Sequence, residues 1–430
     1  MPRINKTTLE SGINVITEEM PDAESATLGI WVRTGSRNES KGLNGVSHFI
    51  EHLLFKGTPK RTALQISREI ESVGGVLNAF TSREYTCFYA KVLNRDIPRA
   101  ADLLSDIFLN PNFDPSEMDK ERNVVLQEIK MVEDTPDDII HDIYAAEFWK
   151  GHPLSYPILG PDKNLRKLTT DDIREYYEKH YRSRNVFIVA AGGVKHATIL
   201  KLVKKGFGKL KLTDLAEKVP DPVPHPGVKL VQKDLEQVHM CLGVPALAQP
   251  DPNRYKLYLM NTILGSGMSS RLFQEVREKK GLAYSVFSYL NLYKDSGSLV
   301  VYSGTTKENF PQLLSIVLRE FAKMRRGVTT TELKEAKSQL KGGMLLGLES
   351  SENRMTKLAR DEMYFGAPVD IKKIVASIDR VRGDSLEKIA SEILRPSKAM
   401  LAAIGKVRGA TIPKGLKAAK SPARKKKKTA

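Results

Sequence analysis

Hydrophobic and polar positions alternate early in the chain, over 14–17 and again over 26–32, as they do in half-buried strands, and the second run ends at the turn Thr34-Gly35-Ser36-Arg37-Asn38. The spacing then becomes helical, predicting a helix over roughly 44–56 and a second over about 63–73, closed by Gly74-Gly75. Strand-like runs return at 76–80 and 85–92. Helical periodicity follows at 96–109, 115–133, 136–149 and 170–180, before a buried strand at 185–192 and a helix at 196–206.

Prolines alternate between residues 219 and 227, which marks an extended, semi-rigid linker. Beyond it the order repeats. Strands at 228–233 and 237–244 precede helices near 252–265 and 270–279, then strands at 283–292 and 297–305. Helices at 308–325, 330–348, 351–364 and 383–393 lead to a last strand at 399–405, which answers to the one at 185–192. A recurring order of this kind predicts an α+β chain of two similar domains, each a mainly antiparallel sheet packed by helices. The expected boundaries are 1–218, the linker 219–227, 228–407, and a disordered basic tail at 408–430.

Composition narrows the class. At 430 residues the chain is long enough for two cores, and no apolar run approaches the roughly 20 residues that span a bilayer. The N-terminal residues lack the apolar core of a secretory signal and the Arg- and Ser-rich character of a transit peptide. Cys87 and Cys241 are the only cysteines, and their apolar surroundings predict two buried free thiols in a reducing compartment. A bacterial cytoplasm fits, with an organelle matrix as the alternative. Residues 406–430 carry ten Lys or Arg and no acid, so the formal charge of +17 falls to +7 for the rest. The nucleic-acid signature is therefore confined to the tail, where it predicts weak, salt-dependent attraction only.

The chemistry is concentrated in His48-Phe49-Ile50-Glu51-His52. Residues four apart share a helix face, so His48 and His52 can bind one Zn²⁺ through neutral imidazoles, while Glu51 reaches a water beside the metal without being a ligand. This order reverses the commoner H-E-x-x-H arrangement. Catalytic zinc takes three protein ligands, and Glu128 on the helix over 115–133 is a candidate third. Glu121, two turns earlier on the same stripe, is a candidate supporting carboxylate. A solvated helix face is the plain alternative for both.

Together these residues resemble the inverted-zinc-motif peptidases, which include pitrilysin, insulin-degrading enzyme and mitochondrial processing peptidase. The likeness extends to about residue 407 and takes in Leu77-Asn78-Ala79-Phe80-Thr81-Ser82-Arg83-Glu84-Tyr85-Thr86, which is similar to the strand and turn beside the family's active site. The resemblance implies His48, His52 and Glu128 as ligands of one zinc ion per chain, Glu51 as general base and Glu121 in support. It implies a substrate strand around Asn78, Ala79, Phe80 and Thr81. It also implies a catalytic Arg277 and Tyr284, which match the pair that family members bring from their non-zinc half. The second half has no H-x-x-E-H and builds no second site of this kind. The function implied is a zinc endopeptidase acting on extended peptides inside a closed chamber. One chain is long enough for half of such a clam-shell, so a homodimer is expected, or a heterodimer with a zinc-less paralogue. A non-catalytic scaffold or partner subunit is the competing class.

Overall fold

The computed structural model describes residues 3–182, 184–208, 210, 219–413 and 415–416. The basic run 420–428 of the expected tail lies outside the described residues.

Eleven strands are described: β1 (Arg3–Thr8), β2 (Asn14–Glu19), β3 (Ser25–Val32), β4 (Val76–Thr81), β5 (Thr86–Leu93), β6 (Val186–Gly192), β7 (Gly227–Gln232), β8 (Val238–Ala246), β9 (Ser285–Leu292), β10 (Gly297–Thr305) and β11 (Met400–Gly405). The helices of the first half are α1 (Val46–Leu53), α2 (Ala63–Glu71), α3 (Ile97–Leu109), α4 (Pro115–Asp134), α5 (Pro136–Phe148), the single turn α6 (Asp162–Leu165), α7 (Thr170–Tyr181) and α8 (His196–Phe207). Those beyond the linker are α9 (Arg254–Gly265), α10 (Phe310–Met324), α11 (Thr330–Gly347), α12 (Ser351–Phe365), α13 (Ile371–Asp379) and α14 (Gly383–Ile393). The expected short helix near 270–279 forms a wide turn, in which Lys279 N donates to Gln274 O at 2.9 Å, five residues back.

The two sheets repeat one topology. The first runs β1-β2-β6-β3-β5-β4 and the second β7-β11-β8-β10-β9. In each, one neighbour pair is parallel, β2 with β6 and β7 with β11, and the others are antiparallel. The sequence expectation of two similar, mainly antiparallel α+β halves therefore holds, with β1 as an extra strand on the first. β4 and β9 occupy equivalent edges.

The chain forms two compact units: Met1–Asp134, Gly151–Asp221 and Lys341–Ser377 in one, Thr135–Lys150, Pro222–Leu340 and Ile378–Ala430 in the other. The passage from Asp221 to Pro222 falls inside the proline-rich segment. In the first unit, one sheet face is covered by α1, α2, α3, α4, α7 and α8 through a core that includes Ile30, Phe49, Phe88, Leu104, Phe108 and Val125. The opposite face, with Ile16, Trp31, Cys87, Phe187 and Val189, is covered by Met355, Leu358 and Ala359 of α12. The i, i+3, i+4 spacing of those three residues is what a helix needs to bury one stripe. Burial on both faces explains why β6 is buried along its whole length instead of alternating. In the second unit α5 packs on β11 and β8. Cys87 and Cys241 are both buried and free. Among the described residues no helix is long and apolar enough to cross a membrane.

Candidate active site

α1 starts where it does because its N-terminus is built for it. Gly45 has φ +103°, and a Cβ there would lie 2.7 Å from Leu159 O, so both the backbone angle and the space require glycine. The carboxylate of buried Glu39 supplies the cap. It accepts from Gly45 N and from Asn44 Nδ2 through Oε2, and from Ser47 N through Oε1, each at 2.8 Å. These bonds satisfy amides that open every helix, and a negative charge at that end is favourable. Burial nevertheless pushes the Glu39 carboxyl above its ordinary value, against the pull of its donors.

With Val46, Phe49, Ile50 and Leu53 buried, α1 keeps His48, Glu51 and His52 off the core side. Residues Met118, Glu121, Val125, Leu126 and Ile129 are the buried stripe of α4, and Glu128 stands beside it, half-buried. The two helices bring three donors together. His48 Nε2 lies 3.7 Å and His52 Nε2 3.6 Å from Glu128 Oε2. Tetrahedral zinc, bonded at 2.0–2.2 Å, separates its ligand atoms by roughly 3.4 Å. The donor set and its spacing therefore fit that ion, and all three ligand atoms lie within 4.8 Å of one another.

The surrounding groups prepare this site. His52 Nδ1 donates to Glu121 Oε2 at 3.1 Å, which leaves Nε2 as the lone-pair nitrogen, and Lys56 Nζ donates to Glu121 Oε1 at 2.6 Å. Burial, and then the neighbouring His52, push the His48 imidazole down to about 3, so it is neutral at ordinary pH. Its Nδ1 is buried with no hydrogen-bond partner among the described residues. Packing, rather than a second carboxylate, orients that ring. Thr81 Oγ1 donates to Glu51 Oε2 at 2.5 Å. Burial raises the Glu51 carboxyl above its ordinary value, while the Thr81 hydrogen bond lowers it by less.

Asn78, Ala79, Phe80 and Thr81 lie on β4, the edge of the first sheet, with one side paired to β5. Ala79 and Thr81 face the helix-covered side with Glu51, whereas Phe80 packs on the Trp31 side. Arg277 and Tyr284 belong to the second unit and meet each other there. The Arg277 guanidinium lies 4.8 Å from the Phe273 ring centroid and 4.6 Å from that of Tyr284, which is 80% exposed at the foot of β9.

Reading the sequence alone misses Glu39, Lys56 and the tie between Thr81 and Glu51. Glu39 stands well before the N-cap Gly45 and caps by folding back, so it carries no local capping signal, whereas Lys56 follows His52 by one turn and could have been found. The Thr81 contact joins a helix to a strand 30 residues later and has no local signature.

A helical histidine pair with its carboxylate partners, set on a repeated α+β fold, defines a metallopeptidase-type centre. The insulinase description of peptidase family M16 matches residues 14–162, and the description of the M16 inactive domain matches residues 167–340. An uncharacterized zinc protease, YmxG of Bacillus subtilis, is 39% identical over 398 residues, covering 92% of this chain and 97% of that protein. A probable mitochondrial-processing peptidase subunit beta of Arabidopsis thaliana is 32% identical over 420 residues, covering 94% of this chain and 79% of that one. The crystal structure of a protease from Helicobacter pylori shares the fold with a TM-score of 0.86 at 23% identity, covering 94% of this chain and 100% of that one. The chain belongs to peptidase family M16.

Proposed function

We propose that this chain is a zinc-dependent endopeptidase that hydrolyses peptides or unfolded protein segments held in extended form. The observation that carries the reading is the convergence of His48, His52 and Glu128 at zinc-ligand spacing, with Glu51 beside them. These three side chains would hold one zinc ion per chain, with Glu121 fixing the His52 ring. When bound, zinc supplies Lewis-acid polarisation of water and of the scissile carbonyl.

The remaining steps belong to the protein. With Oε2 engaged by Thr81, Oε1 of Glu51 is the oxygen that takes a proton from the attacking water and passes it to the leaving amine. The raised Glu51 carboxyl suits a group that must both accept and return that proton. The free edge of β4 offers backbone donors and acceptors to an extended substrate. Backbone pairing selects for unfolded chains with little regard to sequence. Tyr284 would donate to the developing oxyanion and Arg277 would orient substrate carbonyls, roles that rest on their match to the family pattern.

A homodimer closing a chamber around the substrate, in a bacterial cytoplasm, completes the reading; a heterodimer with a zinc-less paralogue is the other assembly. Metal analysis alongside cleavage of an unstructured peptide by wild type and Glu51→Gln tests it. Stoichiometric zinc in both proteins and cleavage by wild type alone are expected, and equal cleavage by the variant would overturn the assignment. Native mass measurement tests the assembly: an active monomer at working concentration would exclude the closed dimer.

A further inference from the structure

Arg37 and Glu39 sit two residues apart in the loop before α1 and secure two different elements. Glu39 caps the helix that carries Glu51. Arg37 Nη1 donates to Glu84 Oε1 at 2.7 Å, in the turn that follows Thr81, with Arg37 2% and Glu84 8% exposed. The backbone reinforces this: Arg37 N donates to Arg83 O at 2.8 Å and Ser36 N to Ser82 O at 3.3 Å. Thr86 Oγ1 donates to Thr34 O at 2.9 Å. A Cβ on Gly35 would stand 2.2 Å from Ser82 O, so the loop lies directly on the turn. The turn itself is closed by Ser82 N donating to Tyr85 O at 2.8 Å.

The loop is thus a bracket with one arm on the helix of Glu51 and the other on the turn of Thr81. A third point comes from far along the chain. Tyr364 of α12 donates to Glu84 Oε2 at 2.8 Å, so both carboxylate oxygens are engaged. Burial, with the Glu84 carboxylate beside it, pushes the Tyr364 hydroxyl well above its ordinary value, and it stays a donor. An ion pair this buried holds its place only while its hydrogen bonds are complete.

We propose that Glu84 and Tyr364 are positioning residues for the general base: through Arg37 and the turn at 82–85 they fix Thr81, and Thr81 fixes the Glu51 carboxylate. The proposal rests on the peptidase reading for its catalytic consequence. Hydrolysis depends on a base held in register with the attacking water, and small displacements of such a group are costly in rate.

Tyr364→Phe is the test, because it removes one hydroxyl and leaves Glu84 paired with Arg37. Glu84→Gln is the second variant, which keeps an acceptor for Arg37. In both, kcat should fall about tenfold with KM and zinc content unchanged. Amide hydrogens of 82–86 should exchange faster, while those of 49–53 in α1 should not. In a Thr81→Val background, Tyr364→Phe should cost nothing further, since its effect passes through Thr81. Unchanged kcat and exchange would overturn the proposal, as would losses that multiply in the double variant. A wild type that cleaves no peptide would sink the peptidase reading instead, and exchange at 82–86 would still decide whether Glu84 and Tyr364 hold the turn.

Discussion

Thr81 donates its hydroxyl hydrogen to Glu51 Oε2 at 2.5 Å, joining an edge strand to the helix that carries the histidine pair. The bond anchors one carboxylate oxygen and, on the proposed reading, leaves the other for proton transfer. Thr81→Val keeps the shape and removes the donor. Peptide cleavage should drop about tenfold in kcat, a fraction of the 10²–10⁴ that a general base contributes. Thr81→Ser should restore most of it. Steady-state kinetics on the three proteins decides, and a fully active valine variant would mean that Glu51 needs no tether.

Glu121 acts at one remove from the ligand position. It accepts a hydrogen bond from His52 Nδ1 and is itself held by Lys56. Glu121→Gln should leave the fold intact and weaken zinc binding by about 10–100-fold, as loss of such supporting partners does. Competition with a chromophoric chelator measures this. Affinity equal to wild type would show that packing alone orients the His52 ring, as it does for His48.

Glu39→Ala should destabilise the first unit, since three donors at the start of α1 lose their acceptor. The loss is expected to be about 1–3 kcal/mol, the range for hydrogen bonds to a charged group. It should be visible as a lower denaturation midpoint with an unchanged slope. Zinc affinity should fall with it, because the helix that frays carries two ligands.

Glu332 gives the second unit a defined acid response. Hydrogen bonding to Arg271 is the largest influence on its carboxyl, which is held down to about 2 from an ordinary 4.5. A depressed acid stabilises the folded state fully above its unfolded value, and the contribution is lost as pH falls from about 4.5 through 2. Solvent screening leaves roughly 1 kcal/mol of it. Glu332→Gln should therefore be less stable than wild type at neutral pH, with the gap closing across that acid window. A constant gap would contradict the pairing with Arg271.

Much of this was legible in the residues. The histidine pair sits on a helix because Val46, Phe49, Ile50 and Leu53 recur at helical spacing around it. The repeat of strand order announced two sheets of one design. Legibility stopped where partners are distant. No helix is expected from the sequence at α13, although Ile371, Ile374, Val375 and Ile378 recur there at helical spacing; only Ile378 of that stripe is buried. Glu84 reads as a turn residue, and only the folded chain places it between Arg37 and Tyr364. β6 is the buried strand its sequence predicts, whereas β3, expected to be half-buried, is buried from Ala26 to Val32, because both faces of the sheet are covered, one of them by a helix beyond the linker.

A fragment ending at residue 218 should accordingly fail to form a cooperative first unit. It lacks Met355, Leu358 and Ala359, and would leave Ile16, Trp31, Phe187 and Val189 exposed to water. Thermal unfolding of the fragment, with and without a peptide spanning 341–377, checks this. A sharp transition without the peptide would show that α12 is dispensable.

For a chain emerging from a ribosome, that same helix sets a clock. At about 5–20 residues per second, α12 follows the end of the linker by roughly 6–28 s. Through that interval the strands of the first sheet exist with one oily side bare. The nascent protein is then a client for whatever shields such surfaces. The first unit, and with it the candidate site, is completed only after most of the chain has been made.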